Sequence, residues 1–407
     1  MREEAILRTI YDPAHRAHPY ALYDQLRQVP VRWQEDGPHE AGTYVVSTYR
    51  EIAALMHDPR ISSDLRKGAQ SGGPRTPAAP YTFINLDPPE HDRLRRLAMR
   101  HFGPPERSDY LERLRPDIER IAARLADGLQ GERTIDLVSR FAYPLPVTVI
   151  CTILGVPHED QAQFHLWADA LVEGVGSNAP EARARRLEAS LALNRYMAEL
   201  VERRRKQPTD DMLSCMATDA GPEGRMDDPY LVATAALLLV AGHETTVNLI
   251  ANGALTLLRH PSILERLRHE PDLVVCAVEE ILRYEPPVQL LANRTTLDDV
   301  SIAGTTIPKG VLVTFALAAG NRDPLRFRDP GRFDPERPEN AHLGFGGGNH
   351  YCFGAPLARI EGQIALRELV RRLQGPRLVV DPPPYRPSPV LRGPQQLLVE
   401  VDGVHPT

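Results

Sequence analysis

Apolar residues recur at three- and four-residue spacing along much of the chain, which is the pattern of amphipathic helices. The clearest examples are the segments 108–129, 184–206, 228–259 and 262–284. Strand patterns are confined to short patches: a hairpin formed by 31–35 and 43–47, and later strands within 311–317 and 395–401. The pattern therefore predicts a mainly α-helical fold with small β-sheets.

The segment 228–259 is the longest of these predicted helices, with Pro229 in its first turn and Pro261 just beyond its end. Residues 231–241 are nearly all apolar, which predicts that this stretch is buried. A glycine, an acid and two threonines then interrupt the apolar run. Taken alone, the interruption would also fit a helix that emerges into solvent.

Thirty-eight prolines among 407 residues concentrate in the connecting segments. A loop over 68–80 shows no helix or strand pattern, and long loops inside a domain commonly act as lids over binding sites. Directly after this loop, Asp87 is predicted to cap a helix that Pro88 and Pro89 begin.

The composition is that of a folded globular protein, with 42% hydrophobic and 25% charged residues. No Gly/Ser-rich or charged linker divides the chain, so we expect residues 1–407 to form a single domain. A formal net charge of −6 argues against a nucleic-acid partner. The first twenty residues contain neither a membrane-spanning run nor a signal-peptide core, so we expect a cytoplasmic protein with no membrane partner.

One of the four cysteines, Cys352, lies in the glycine-rich stretch "HLGFGGGNHYCFGAPLAR" at 342–359. None of the four shows the paired spacing of a zinc site or a redox motif. A helix-forming run follows Cys352, and the start of a helix lowers the pKa of a nearby thiol and offers N–H donors to its sulfur. We therefore expect a thiolate here, with glycines that let the backbone approach a flat ligand.

The same stretch is similar to the haem-binding signature FGxGxHxCxG of the cytochrome P-450 family. The matching positions are Phe345, Gly346, Gly348, His350, Cys352 and Gly354. The resemblance implies that Cys352 is the axial ligand of the iron in haem b (iron protoporphyrin IX) and that Phe345 shields the iron–sulfur bond. It also implies that family's fold, in which haem lies between a long central helix and the helix after the cysteine loop, here residues 342–354.

Haem carries two propionates, which need charged or hydrogen-bonding partners in a partly buried site. His91 and Arg95 lie four residues apart, so both side chains project from the same side of the predicted helix. Together with Arg294 and His350, they match the family's propionate contacts. The resemblance thus assigns these four residues, with Phe345, Cys352 and Gly354, to cofactor binding.

The stretch "AGHETT" resembles the family's oxygen-activating motif. The resemblance assigns the dioxygen-binding kink to Ala241 and Gly242, the acid to Glu244, and the hydroxyl that contacts oxygen to Thr245. A helical threonine can donate its hydroxyl to the carbonyl four residues earlier, here that of Ala241, which loosens the helix and admits water. These residues are therefore expected to form a proton path.

Glu280 and Arg283 lie one helical turn apart, where a carboxylate and a guanidinium can pair on one face. Such pairs are common on helix surfaces. In the family this pair is buried and a later arginine completes it, for which Arg337 is the candidate. All three residues are expected to be structural rather than catalytic.

The resemblance implies a monooxygenase that inserts one atom of dioxygen into a C–H bond of a bulky apolar molecule such as a macrolide, a polyketide or a steroid. The same haem fold also performs epoxidation, dealkylation or carbon–carbon coupling in related enzymes. A haem protein that only senses or carries a ligand is the alternative from another class. Glu244 and Thr245 favour the enzyme, because a carrier needs neither.

Electrons must come from outside, since the chain contains no flavin or iron–sulfur motif. The expected source is an acidic ferredoxin with its reductase and NAD(P)H. The surface predicted to receive it is a basic patch of Arg93, Arg96, Arg100 and Arg359. We expect the protein to be a monomer.

The substrate pocket is predicted from apolar residues that the resemblance brings near the haem. Its walls would come from 234–241, 288–293, 76–84 and 395–397, with contacts from Leu237, Leu238, Leu290, Leu291 and Leu397. Leucines at helical spacing are equally typical of an ordinary core, so both interpretations stay open at each position.

Overall fold

The chain folds into many helices and four small sheets, as seen in a computed structural model that describes residues 6–35, 42–68, 82–103, 107–173, 180–221 and 224–406. The α-helices are α1 (Ile6–Tyr11), α2 (Tyr20–Arg27), α3 (Tyr49–Met56), α4 (Glu90–Met99), α5 (Tyr110–Asp127), α6 (Pro144–Ile153), α7 (Gln161–Glu173), α8 (Pro180–Lys206), α9 (Met212–Thr218), α10 (Asp228–Arg259), α11 (Pro261–His269), α12 (Val274–Tyr284), α13 (Leu317–Gly320) and α14 (Ala355–Arg372). The strands are β1 (Val31–Gln34), β2 (Thr43–Val46), β3 (Ile61–Ser62), β4 (Thr134–Asp136), β5 (Leu291–Thr296), β6 (Val300–Ile302), β7 (Thr305–Ile307), β8 (Leu312–Phe315), β9 (Leu373–Gln374), β10 (Arg377–Leu378), β11 (Leu398–Glu400) and β12 (Gly403–Val404). The predicted mainly α-helical fold is confirmed.

The largest sheet has the strand order β1-β2-β8-β5-β3, with β2 and β8 parallel and the other pairs antiparallel. Its first two strands form the predicted hairpin, in which Val31 pairs with Val46. Strand β11 lies between β10 and β4 in a second sheet. The sheets are therefore small, and the helices provide most of the core.

The predicted helix over 262–284 is wrong as a single element, because the chain forms α11 and α12 with a 3-10 turn, Pro271–Leu273, between them. Proline has no N–H to donate and disfavours helical geometry in the residue before it. Glu270 accordingly has φ −123° and ψ 69°. The apolar periodicity continues through the break, so the spacing of apolar residues predicted one helix where the chain forms two.

The predicted capping role of Asp87 is also wrong, although its main chain does lead into α4. Its carboxylate accepts hydrogen bonds from the Ser63 N–H (2.9 Å), the Ser62 hydroxyl (2.5 Å) and Lys67 Nζ (2.8 Å). The residue before the first turn of α4 is Pro89, which offers no side-chain cap. Asp87 therefore fastens the start of α4 to the chain near β3.

Helix α10 runs through the centre of the protein and contacts α6, α8, α12 and α14. A Cβ placed on Gly253 would lie 2.9 Å from Leu366 of α14 and 3.2 Å from Ile281 of α12, so the glycine allows close packing of the three helices. Among the described helices, α10 is long and apolar enough to cross a bilayer, but more than half of its apolar stretch is buried in the protein. Its surroundings are those of a core helix.

The pair Glu280 and Arg283 of α12 has no exposed side-chain surface. Arg283 donates to both carboxylate oxygens of Glu280 at 2.7 Å, and Arg337 Nε lies 3.3 Å from the same carboxylate. Arg283 also donates to the carbonyls of Asn321 (3.0 Å) and Pro330 (2.9 Å). The cluster ties α12 to the irregular chain that leads into the cysteine loop.

We expect Glu280→Gln to lower the free energy of unfolding by about 3–5 kcal/mol, because two buried guanidinium groups would lose their compensating charge. Denaturant unfolding of the purified protein measures this change. Glu112→Gln removes the acid of an exposed i,i+3 pair with Arg115 and should leave unfolding unchanged. Equal losses in the two variants would contradict a structural role for the cluster.

Candidate functional site

The cysteine loop lies against α3 and leads directly into α14. Cys352 follows the 3-10 turn Gly348–His350, and its N–H donates to the Phe345 carbonyl at 2.9 Å. Gly348 has φ +61°, and a Cβ there would lie 2.1 Å from the Met56 carbonyl oxygen. Only glycine fits this position. At this position the need for glycine comes from packing against α3.

Burial raises the pKa of the Cys352 thiol. The N–H groups of Gly354 and Ala355 at the start of α14, and the charges of Arg95 and Arg359, act in the opposite direction but do not overcome burial. The thiolate expected from the sequence therefore stays a prediction for the metal-bound protein. A bound metal ion would supply the missing stabilisation, because coordination favours the deprotonated sulfur.

An apolar cavity of about 270 Å³ lies between the cysteine loop and α10. From the loop and the start of α14 its lining includes Phe345, Gly346, His350, Cys352, Phe353 and Gly354. From α10 it includes Leu237, Leu238, Ala241, Gly242 and Thr245. The structure thus brings two motifs more than a hundred residues apart in sequence to opposite walls of one cavity.

Thr245 and Glu244 lie on different sides of α10. The Thr245 hydroxyl donates to the Ala241 carbonyl at 2.9 Å, which is the contact expected from the sequence. Glu244 is 1% exposed and is not part of the cavity lining, and its carboxylate lies 3.1 Å from Nη1 of Arg386. The acid and the hydroxyl are therefore adjacent in sequence, but only the hydroxyl faces the cavity.

One edge of the cavity is basic. Arg95, Arg294 and His350 line it, and the His91 ring lies 4.4 Å from that of His350. Burial lowers the pKa of Arg294 to about 10, and its guanidinium donates hydrogen bonds to backbone carbonyls, including that of Asn293 at 3.1 Å. Burial and the nearby charges of Arg294 and His91 lower the pKa of His350 to about 3. This edge is suited to an anionic group.

A β-bulge in β5 explains how Arg294 reaches the cavity. Leu291 and Arg294 both line it, although residues three apart in a regular strand project from opposite faces. The pairing with β8 shifts between these two residues, and Asn293 has φ +64°, a conformation that asparagine tolerates better than most residues. The extra residue turns Arg294 to the same side as Leu291.

The predicted leucine contacts are corrected at two positions. Leu237, Leu238 and Leu291 line the cavity. Leu290 is fully buried in a separate cluster with α1 and α2, because it precedes Leu291 in the chain and points the opposite way. Leu397 is fully buried in the main core beside β4, where its N–H donates to Asp136.

The predicted walls of the cavity are found only in part. Of the loop 76–84, Phe83 and Ile84 line the cavity, and residues 76–81 lie outside the described residues. From 288–293, Val288 joins Leu291 in the lining, whereas residues 395–397 contribute none of it.

Glu361 of α14 is a cavity residue that the sequence analysis did not identify. It is 1% exposed, and burial raises the pKa of its carboxyl to about 8. Its Oε2 makes no hydrogen bond to any described residue. Glu361 lies one turn after Leu357 and Ala358, which also line the cavity, because residues three or four apart share a helix face.

These features fit haem. The buried thiol supplies a sulfur ligand, the opposite wall supplies a hydroxyl, and the basic edge matches two propionates. His91 Nε2 supports the fit, because this buried nitrogen has no hydrogen-bond partner among the described residues. The fold and site therefore define a haem-thiolate protein.

Comparison with known proteins identifies the family. The family model described as Cytochrome P-450 matches residues 41–401. The chain is 38% identical over 402 residues to cytochrome P-450 107B1 of Saccharopolyspora erythraea, covering 96% of each chain. It is 39% identical to the cytochrome P-450 monooxygenase PikC of Streptomyces venezuelae, over 93% of this chain and 89% of that protein.

Among solved structures, the cytochrome P-450 PksS of the Bacillus subtilis bacillaene polyketide synthase superposes with a TM-score of 0.88 at 32% identity. The match covers 96% of this chain and 99% of that one. The chain thus belongs to the cytochrome P-450 family. It is a monooxygenase of that family, with a haem-iron cofactor.

We expect Glu361→Gln to change how stability depends on pH. A carboxyl whose pKa rises on folding stabilises the protein below its ordinary value near 4.5, and that contribution is lost as pH rises to about 8. The melting temperature of Glu361→Gln relative to wild type should therefore increase between pH 5 and 8, by an amount corresponding to about 3 kcal/mol. Thermal unfolding of the haem-loaded proteins across this range measures it, and parallel pH profiles would contradict the buried neutral acid.

Proposed function

We propose that this monooxygenase hydroxylates a bulky, mainly apolar small molecule such as a macrolide, a polyketide or a steroid. The observation that carries the proposal is the cavity between Cys352 and Thr245, whose walls are mostly apolar apart from the basic edge, Thr246 and Glu361. Apolar walls with a few polar groups at one edge favour ligands with large hydrophobic surfaces. Relatives named 6-deoxyerythronolide B hydroxylase and vitamin D(3) 25-hydroxylase, at 37% and 38% identity, support these substrate classes.

We propose haem b as the form of the cofactor, with Cys352 as the sulfur ligand of its iron. When bound, haem supplies the activation of dioxygen and the oxidation of the C–H bond. Arg95, Arg294, His350 and His91 would hold the propionates at the basic edge. Phe345 and Gly354 would cover the haem face beside Cys352, which keeps water from the sulfur.

Thr245 and Glu244 are proposed to deliver protons, with Ala241 and Gly242 leaving room beside them for dioxygen. The Thr245 hydroxyl donates to the Ala241 carbonyl and keeps its lone pairs available on the cavity side. The Thr245 hydroxyl can accept a proton from water through its oxygen and release its own proton, because a hydroxyl both accepts and donates hydrogen bonds. Glu244, one residue earlier, would supply the proton from the other side of the helix.

We propose a ferredoxin, with its reductase and NAD(P)H, as the electron source of a monomeric cytoplasmic enzyme. The basic patch predicted for docking is weaker than the sequence suggested, since three of its arginines have local carboxylate partners. Arg93 pairs with Glu90, Arg100 with Asp219, and Arg359 with Glu279. Attraction of an acidic partner would therefore depend on how these pairs reorganise on contact.

The substrate class can be tested by titrating the haem-loaded protein with a macrolactone, a macrolide, a steroid and a fatty acid. In the haem-loaded protein, binding of a true substrate would shift the Soret band from its low-spin to its high-spin position. We expect the largest shifts with the macrolactone or steroid, followed by a product 16 mass units heavier in turnover with a surrogate ferredoxin. A shift confined to the fatty acid would overturn the proposed class.

Epoxidation is a second candidate outcome, because one relative at 36% identity is named mycinamicin IV hydroxylase/epoxidase. Hydroxylation and epoxidation both add one oxygen atom, so mass alone does not separate them. The number of carbon–carbon double bonds in the product distinguishes them, since only epoxidation consumes one. An unsaturated macrolactone is therefore the most informative member of the panel.

We expect Thr245→Ala to raise the yield of hydrogen peroxide per NADH at least about twofold, because protons would reach oxygen without the ordering hydroxyl. A peroxide assay coupled to NADH oxidation measures it. Thr256→Ala, a buried threonine further along α10 that does not line the cavity, serves as the control and should match wild type. Unchanged coupling in Thr245→Ala would rule out the proposed relay.

A further inference from the structure

A polar stripe interrupts the apolar surface of α10 on the side away from the cavity. Glu244, Asn248 and Asn252 are spaced four residues apart, so they project from one side of the helix. All three are at most 1% exposed. Buried polar groups require hydrogen-bond partners. The segment that packs against this stripe must therefore supply partners for its side chains.

The partner is a hairpin-like segment, residues 384–395, which we call the C-terminal hairpin. Tyr385 pairs with Pro394, the Arg386 N–H donates to the Gly393 carbonyl at 3.1 Å, and the Gln395 N–H donates to the Pro384 carbonyl at 2.8 Å. Asn252 Nδ2 donates to the Arg392 carbonyl of the hairpin at 2.9 Å. The hairpin therefore packs directly on the polar stripe.

The hairpin also supports a wall of the cavity. The Arg392 N–H donates to the Pro287 carbonyl at 2.8 Å, and Val288 pairs with Leu391. Pro287 and Val288 both line the cavity. The guanidinium of Arg392 is anchored in a buried ion pair with Glu285. The segment is thus held between the cavity wall and the stripe by hydrogen bonds and an ion pair.

Arg386 connects the stripe to the protein surface. Its Nη1 lies 3.1 Å from Oε1 of Glu244, whose other close neighbour on the stripe is Asn248 Nδ2 at 3.5 Å. The Arg386 side chain is 17% exposed, whereas that of Glu244 is 1% exposed. An ion pair this close favours the ionised carboxylate and fixes its direction. Water that reaches the Arg386 guanidinium is therefore close to the Oε1 atom of Glu244.

We infer that Arg386 is a positioning residue that holds the Glu244 carboxylate toward the C-terminal hairpin and links it to solvent. This rests on the proposed role of Glu244 and Thr245 in proton delivery. A proton from bulk solvent reaches the carboxylate through water at the arginine, and the neutral acid, which is attracted less strongly to Arg386, passes the proton to the Thr245 side. The carboxylate then returns to the guanidinium, so one proton enters and one leaves. Arginine itself stays protonated throughout.

The test compares Arg386→Gln with Arg386→Lys in the haem-loaded protein. The probe is NADH oxidation with a surrogate ferredoxin and its reductase, without added substrate, with hydrogen peroxide measured per NADH. We expect Arg386→Gln to raise this ratio at least about twofold, and Arg386→Lys to remain near wild type because it keeps a positive charge. The double variant Glu244→Gln/Arg386→Gln should equal Glu244→Gln alone, because both changes act on one group.

Arg259→Gln is the matched control. Arg259 of α10 donates to Asp381 at 3.1 Å, so this pair also joins α10 to the chain just before the hairpin, but neither residue lines the cavity. The control should match wild type. An equal rise in Arg259→Gln and Arg386→Gln would show that loosening of the segment explains both, and would overturn the inference.

A second readout does not depend on turnover. Infrared spectra in the carbonyl region detect a protonated carboxylic acid, and loss of a band in Glu244→Gln assigns it to this residue. The band should grow in Arg386→Gln and not in Arg386→Lys, and its absence from Arg386→Gln at every pH would overturn the inference. If Glu244→Gln leaves the peroxide ratio unchanged, the proposed relay itself fails. If only Arg386→Gln leaves it unchanged, the positioning role alone fails.

Discussion

The position of the cysteine loop depends on one buried carboxylate. Glu280 accepts hydrogen bonds from Arg283, Arg337, the Asn340 amide and the Asp334 N–H. All of its donors except Arg283 come from the irregular segment between α13 and the loop. That segment has almost no secondary structure. Its hydrogen bonds to the Glu280 carboxylate therefore hold it in place where a strand or helix would use backbone hydrogen bonds. The same chain continues directly into Gly344 and the turn that carries Cys352.

The side-chain amide of Asn321 holds the start of the cysteine loop in the same way. The Asn321 side chain donates to the Leu282 carbonyl at 3.3 Å and accepts from the Leu343 N–H at 2.7 Å. Leu282 belongs to α12, and α12 packs on α10 and α14. The two hydrogen bonds of Asn321 therefore fix the position of the loop relative to the helices that form the cavity. A displacement of α12 would therefore move the sulfur relative to Thr245.

Local spacing predicted what lies within a few turns of the chain. The Glu280–Arg283 pair, the Thr245 contact with Ala241 and the loop-to-helix junction at Cys352 all follow from short-range geometry, and the family signature correctly indicated the fold. The residues that were missed depend on the tertiary structure. Arg386 lies 142 positions from Glu244, so no periodicity connects them. The errors at Leu290 and Pro271 arise because alternation and proline geometry act locally and override the wider apolar pattern.

The geometry of α10 explains why acid and hydroxyl can be neighbours without sharing an environment. Successive residues of a helix project about 100° apart, so Glu244 and Thr245 lie on adjacent faces. The face that carries Thr245 must remain apolar and open beside the bound cofactor. The face that carries Glu244 must provide the carboxylate with a charged or hydrogen-bonding partner. Placing the charge on the hairpin side keeps the ionised carboxylate of Glu244 out of the cavity, where it would repel electron-rich groups and bind water. In the proposed relay, the Thr245 hydroxyl serves the cavity while Glu244 stays connected to solvent through Arg386.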